Sequence, residues 1–245
     1  MKQPLLLLAS LSFAFSVYAD NHNIDSFSKA KRLLEKQVYY DNKITLYCNA
    51  QFDYQKHVMP PAGFNTTKYV KRSKKVEWEH VVPAENFGRT FVEWREGDSA
   101  CISSKGKAFK GRRCAEKTNK EYRYMQADMF NLYPAIGSVN ALRKNYNFTM
   151  LPAEQNSFGS CAMKINNRKA EPPVTSRGRI ARTYLYMEQN YQHYHMSQSQ
   201  QKLMNAWDKM YPVDDWECQR AERIAKLQGN KNEIVESRCL ISGKI

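Results

Sequence analysis

The sequence predicts an α+β fold: a single mixed domain with short strands in its first half and several helices toward its C-terminus. Three observations predict this. Ile44–Cys48 and Val76–Val82 are rich in β-branched and aromatic residues with partial alternation. The last third repeats apolar residues at helical spacing. No Gly/Ser- or Pro-rich linker divides the 245 residues, which favours one compact unit over two. No internal repeat is evident, which argues against solenoids and propellers.

The elements follow in chain order. Lys2 precedes an apolar run from Pro4 to Val17, and Val17 and Ala19 are small residues three and one before a cut ahead of Asp20. Residues 1–19 therefore read as a secretory signal peptide, leaving 20–245 as the domain. The run is short for a membrane span, and no later segment approaches the roughly 20 apolar residues a span needs. A soluble exported monomer is expected. Ser26–Gln37 reads as a helix capped by Ser26, with Ala30, Leu33 and Leu34 on one face. Ile44–Cys48 and Val76–Val82 read as strands, the second stopped by Pro83. Between them lies a basic stretch with Lys68, Lys71, Arg72, Lys74 and Lys75, and a second basic loop, Cys101 to Cys114, carries Lys105, Lys107, Lys110, Arg112 and Arg113. Residues 119–143 read as two short helical stretches broken around Tyr133–Pro134, because proline cannot continue the helical hydrogen-bond ladder. Three helices follow, marked by Ile180, Tyr184, Met187 and Tyr191, then Leu203, Ala206, Trp207 and Met210, then Trp216, Ala221, Ile224 and Leu227. Their Met and aromatic stripes are read as core.

Charge narrows the function classes. The chain has 38 Lys+Arg against 24 Asp+Glu, a formal net charge of +14, and loss of the leader removes one Lys and no acid. With 42% hydrophobic residues the chain can bury a core, which excludes a disordered basic tail or a collagen-like polymer. Such an excess suits a polyanionic partner: nucleic acid, anionic membrane or acidic polysaccharide. Simple solubility is the bland alternative, and charge alone does not choose. All six cysteines survive the cut, and an even number in an exported chain reads as three disulfides. Of the fifteen pairings, loop length and proximity favour Cys101–Cys114 and Cys218–Cys239, leaving Cys48–Cys161. The absence of any CxxC or CxxxxC pair makes a zinc site a weak alternative.

Five histidines are available for chemistry. His22 falls at the new N-terminus and His57 in a loop without a nearby acidic partner. His193 and His195 flank Tyr194 near a helix end, where a metal role competes with simple helix-dipole stabilisation. His80 differs, because it follows Glu79 just before Pro83. Adjacent strand residues face opposite sides, so the two share a site only where a strand twists or ends, and Pro83 supplies such an end. An imidazole titrates near neutrality, as a general base requires, and a carboxylate can hold a divalent cation. The alternative is a strand-end His beside a Glu79 paired to a Lys.

These residues belong to a wider pattern. Trp78-Glu79-His80-Val81-Val82-Pro83, then Asp128-Met129-Phe130-Asn131-Leu132, Pro134-Ala135-Ile136-Gly137, Val139-Asn140 and Arg143 resemble the bacterial endonuclease I family. Arg177-Gly178, Ile180-Ala181-Arg182-Thr183-Tyr184, Asn205-Ala206-Trp207, Met210-Tyr211-Pro212-Val213 and Asp215-Trp216-Glu217-Cys218 continue the resemblance in order over nearly the whole mature chain. Two departures stand out: Phe130 occupies a place where the family has His, and the Cys101–Cys114 loop is longer than usual.

The resemblance implies a periplasmic or secreted nuclease without sequence specificity, built on a ββα-metal (His-Me finger) motif. By motif position His80 is the general base, and Glu79 and Asn131 are the protein ligands of one Mg²⁺, for which another hard divalent cation can substitute. A carboxylate and an amide oxygen are hard donors that suit such an ion. An arginine just before the second cysteine of the basic loop, Arg112 or Arg113, would meet the developing charge. The implied route makes 5′-phosphate products and needs no 2′-hydroxyl, so DNA and RNA are both expected substrates. The two basic segments, with Arg177, Arg179 and Arg182, are expected to grip phosphates. The competing readings are a non-catalytic basic nucleic-acid binder and an anionic-glycan binder.

Overall fold

Ser26 caps the first helix, as its place ahead of an apolar stripe predicts. In the computed structural model, which describes residues 20–245, its hydroxyl accepts the Lys29 N–H at 3.3 Å. Helix α1 (Phe27–Leu33) then runs into a π-helical turn, Leu34–Val38. The leader read in residues 1–19 lies outside the described residues.

The expected strand Ile44–Cys48 is instead a tight turn. The Thr45 N–H bonds the Ala50 carbonyl at 2.9 Å, Asn49 lies at φ +50°, and Ile44 alone forms a bridge, to Gln51. Leu46, Tyr47 and Cys48 are buried, while Ile44 stays exposed, because the turn is drawn inward: Leu46 N–H bonds Pro134 O at 2.8 Å, and Cys48 is joined to Cys161. Strands β1 (Gln51–Phe52) and β2 (Val58–Met59) follow as a small hairpin, and a 3₁₀ turn, Val70–Lys74, carries part of the basic stretch.

Strand β3 (Val76–His80) stops two residues before the expected end, and Pro83 becomes the N-cap of α2 (Ala84–Gly88). Helices α3 (Val92–Arg95), α4 (Arg112–Thr118) and α5 (Lys120–Ala127) lead to a 3₁₀ turn, Met129–Asn131, and then to β4 (Leu132–Ile136) and α6 (Gly137–Arg143). The two helices expected in 119–143 are α5 and α6, but the break around Pro134 is a strand. Proline is accommodated because β3 and β4 form a two-stranded sheet, so among the described residues no third strand calls for an N–H donor at Pro134. The pair is antiparallel, with Glu79 opposite Tyr133 and His80 opposite Leu132.

A three-stranded sheet of order β5-β7-β6 joins β5 (Asn147–Phe148), β6 (Lys164–Asn166) and β7 (Lys169–Glu171). The three expected C-terminal helices are α7 (Val174–Asn190), α8 (Gln198–Met210) and α9 (Asp215–Gln228); a fourth, α10 (Glu233–Ile241), was not read from periodicity. Asn232 caps it through the Val235 N–H at 3.1 Å. Ile180, Tyr184 and Met187 of α7 are fully buried, so its Met and aromatic stripe is core, as expected.

Three disulfides close as proximity favoured: Cys48–Cys161, Cys101–Cys114 and Cys218–Cys239. Among the described residues no helix is long and apolar enough to cross a membrane.

Candidate active site

Strands β3 and β4 and helix α6 form a ββα unit whose strand end opens on a cleft of about 480 Å³, lined by residues including Glu79, His80, Arg112, Asn140 and Lys144. The strand exit is held open from both sides. Arg143, fully buried at the end of α6, donates to the carbonyls of His80 at 2.9 Å and Val81 at 2.7 Å. Asn131 clasps Val82, accepting its N–H at 2.7 Å and donating to its carbonyl at 2.9 Å.

Glu79 is 3% exposed and takes two hydrogen bonds, from the Tyr47 hydroxyl at 2.6 Å and Arg143 Nη1 at 3.0 Å. Both land on Oε1, and Oε2 receives none among the described residues. Its partner is therefore an arginine on α6 rather than a lysine. Burial pushes the Glu79 carboxyl up, opposed by the Arg143 charge and the two hydrogen bonds. Burial and the neighbouring carboxylate raise the Tyr47 phenol well above its ordinary value, which keeps it a donor.

His80 presents one nitrogen to the protein and one to the site. Nε2 lies 2.8 Å from the Gln126 carbonyl, which only accepts, so Nε2 carries the proton and the neutral ring's Nδ1 carries the lone pair. Phe27 packs on the ring at 4.9 Å. Burial first, then the Arg112 charge, depress the imidazole to about 3, so the ring is neutral at physiological pH.

Asn140 reaches the same cleft from α6. Its Nδ2 donates to Glu77 Oε2 at 3.0 Å, and Oδ1 receives no hydrogen bond among the described residues. Glu77 is itself clamped by Arg72, through Nε at 2.6 Å and through Nη2. Gly137 permits this approach, because a Cβ there would lie 2.5 Å from the Arg72 carbonyl and 2.8 Å from Glu77 Oε1.

The structure separates the two candidate arginines. Arg112 lines the cleft and donates from Nε to Gln126 Oε1 at 3.2 Å, while its buried Nη2 has no hydrogen-bond partner among the described residues. Arg113 is exposed and covers the Phe109 ring at 4.9 Å, outside the cleft. Gln126 thus supports both groups, the imidazole by its backbone and the guanidinium by its side chain.

Several expectations are corrected here. Asn131 is not brought into the cleft, since both amide atoms are engaged by Val82; Asn140 is the asparagine that lines it. Phe130 is buried against Tyr186 at 5.0 Å and so belongs to the core. Arg177, Arg179 and Arg182 are not free phosphate grips. Arg182, 1% exposed, is held by Glu217 at 2.6 and 2.7 Å and by Asp208 at 3.2 Å; Arg177 is paired with Glu171 at 2.7 Å, and Arg179 with Asp214. A buried guanidinium needs such partners. His57 does have an acidic partner, Asp53 at 2.9 Å. His193 stacks on Phe91 at 4.0 Å and lies 3.4 Å from Glu121, whereas His195 is 3.6 Å from Glu188, so the two do not share an acid.

No cluster of three or more His, Cys, Asp or Glu residues able to hold a metal occurs among the described residues. The free oxygens at the cleft, Glu79 Oε2 and Asn140 Oδ1, fit instead a hard divalent cation of the kind that keeps most of its waters and takes one or two protein oxygens. Sequence reasoning missed Asn140, Gln126, Tyr47 and Arg143 as site residues. Asn140 and Arg143 carried a signal, since both stand in the motif blocks that resemble the family.

Known proteins share this chain almost end to end. The Endonuclease I family profile matches residues 21–239. An extracellular deoxyribonuclease of Aeromonas hydrophila is 40% identical over 221 residues, covering 87% of this chain and 90% of the relative. A periplasmic deoxyribonuclease of the same species is 37% identical over 243 residues, covering 96% and 95%. Endonuclease-1 of Buchnera aphidicola subsp. Acyrthosiphon pisum (strain APS) is 34% identical over 228 residues, covering 91% and 85%. With its ββα unit and this extent of identity, the chain belongs to the Endonuclease I family.

Proposed function

We propose that the protein is an exported endonuclease that hydrolyses phosphodiester bonds of DNA and RNA without reading sequence, leaving 5′-phosphates. Residues 1–19 serve as the leader, cleaved ahead of Asp20. His80 is the general base, Arg112 is the electrophilic partner of the phosphate, and Glu79 with Asn140 holds one Mg²⁺ or another hard divalent cation. One observation carries the reading. Glu79 Oε2, His80 Nδ1, Asn140 Oδ1 and Arg112 Nη2 belong to residues lining one cleft, and none of these four atoms has a hydrogen-bond partner among the described residues.

The chemistry follows from these atoms. His80 Nδ1 takes a proton from a water aligned with the scissile phosphorus, while the Gln126 carbonyl fixes the tautomer and orients the ring. The approaching phosphate's negative charge favours the imidazolium, so the base strengthens as substrate binds. Arg112 meets the charge that builds on the phosphate oxygens. Tyr47 and Arg143 orient Glu79, and Glu77 orients Asn140, so that each offers an oxygen. When bound, the divalent cation supplies Lewis-acid stabilisation of the phosphate and of the departing 3′ oxygen. Exposed cations of the 68–75 and 105–113 segments attract the polyanion irrespective of sequence. Export agrees with the words extracellular and periplasmic in the relatives' names.

The test is incubation of the purified mature protein with plasmid DNA and with RNA, in Mg²⁺ or in EDTA. Cutting of both in Mg²⁺, abolished by EDTA and by His80→Ala, is expected. Salt-sensitive binding without cutting would identify a non-catalytic binder instead, and cutting by folded His80→Ala would remove His80 from its role.

A further inference from the structure

Beside the cleft lies a second, polar cavity of about 410 Å³, and Lys144 lines both. Lys68 and Arg168 supply two further cations to it, Thr66 and Thr67 add hydroxyls, and among the described residues no carboxylate lines it. None of the three cations forms an ion pair or a side-chain hydrogen bond among the described residues. The arginines of α7, by contrast, are all paired.

The backbone beneath two of these cations is strained. Asn167 and Arg168 form the two-residue turn between β6 and β7, both at positive φ, +45° and +59°. Such turns favour Asn followed by Gly; Asn stands first as expected, but Arg occupies the glycine position. Lys144, ending α6, has φ +53° and ψ −132°, a region that glycine alone enters freely. Two positions where glycine would relax the chain thus hold exposed basic side chains, and both line one cavity. Lys144 Nζ lies 5.8 Å from the Tyr146 ring centroid, a contact that leaves its charge unpaired, and anion binding explains why both strained positions carry cations.

We infer that this cavity is a second phosphate subsite, taking a phosphodiester group of the same strand whose neighbouring phosphate is cut at His80. The inference rests on the endonuclease reading, because that reading makes the neighbouring anion a phosphate on a strand. Arg168 is a binding residue here, and Lys144 spans the two phosphates.

The test uses Arg168→Gly. In EDTA, binding of a fluorescently labelled single-stranded oligonucleotide is followed by anisotropy over a NaCl series, with melting temperature measured in parallel. The variant is expected to melt a few degrees higher, from relief of turn strain. Its plot of log K against log salt should be shallower by about 0.7, one phosphate contact on a single strand. In Mg²⁺, the ratio of kcat/KM on the oligonucleotide to kcat/KM on bis(p-nitrophenyl) phosphate, which carries one phosphodiester, should fall about tenfold. An unchanged slope with an unchanged ratio overturns the subsite, and a lower melting temperature makes Arg168 structural. Inhibition of wild type by inorganic phosphate that Arg168→Gly abolishes, with the oligonucleotide slope unmoved, assigns the cavity to a free anion and overturns the strand assignment. A wild type that cuts nothing, yet loses slope in the variant, sinks the endonuclease reading and leaves the subsite standing.

Discussion

His80 donates from Nε2 to the backbone carbonyl of Gln126 at 2.8 Å, which turns the lone pair of the buried ring toward the cleft. The imidazole is therefore held neutral by burial and aligned by a carbonyl, with no carboxylate on either ring nitrogen among the described residues.

Stability should record that neutral ring. An unfolded histidine titrates near 6.5, and the folded His80 is depressed to about 3. Between these values the unfolded state binds the extra proton, so this contribution is fully present above about pH 6.5 and is lost progressively as pH falls toward 3. It amounts to an order of a few kcal/mol. Thermal unfolding from pH 4 to 7 should show a shallower dependence in His80→Asn than in wild type; matching slopes would show that the ring is not desolvated.

The two asparagines should fail differently. Asn140→Ala removes a cleft oxygen and should reduce cleavage by about a hundredfold or more while weakening Mg²⁺ binding by calorimetry, with melting temperature nearly unchanged. Asn131→Ala leaves the Val82 N–H and carbonyl buried without partners and should destabilise by about 2–3 kcal/mol. Interchanged outcomes would restore Asn131 to the metal.

Arg112→Ala should lower kcat by about a hundredfold to a thousandfold, the loss typical of a transition-state charge donor. Arg113→Ala, which uncovers Phe109, should change kcat less than threefold, about the effect of an exposed charge. Plasmid-nicking rates at saturating substrate separate the two, and equal losses would place both at the phosphate.

The guanidinium of Arg182 answers to Glu217 and Asp208 rather than to solvent. Arg182→Ala leaves the buried Glu217 carboxylate without its cation, while Asp208 keeps Arg238 at 2.8 and 3.1 Å, and should cost about 3–5 kcal/mol in urea unfolding. The salt slope of oligonucleotide binding in EDTA should not move, and a shallower slope would return Arg182 to the binding surface.

The readable parts of the molecule were those whose signal is local. Ser26 as a cap and the α7 stripe each depend on neighbours a few residues away, and Glu79-His80 at a strand end just ahead of Pro83 inherits that legibility. Pro134 misled because its tolerance depends on β4 having a single partner strand, which is a tertiary fact. Ile44–Cys48 carries strand-forming residues, but the Cys48–Cys161 bond and the Leu46–Pro134 contact bend it into a turn. Arg177 and Arg182 read as surface charge because their acidic partners lie elsewhere on the chain or in the next helices. Asn140 and Gln126 were hardest, since an amide has no titration signature and takes its meaning from what each of its atoms already holds.

The register of β3 with β4 sets His80 opposite Leu132 although residues 81–131 intervene. His80 and the cleft oxygens of Glu79 and Asn140 therefore sit on one small unit, to which the intervening segment lends Gln126 as the partner of the imidazole. Arg112 rides on that intervening segment, moored by Cys101–Cys114. Over evolutionary time such an arrangement lets the excursion lengthen, shorten or change composition while the hairpin and helix are inherited intact, so diversification among descendants should concentrate in the segment that delivers the arginine.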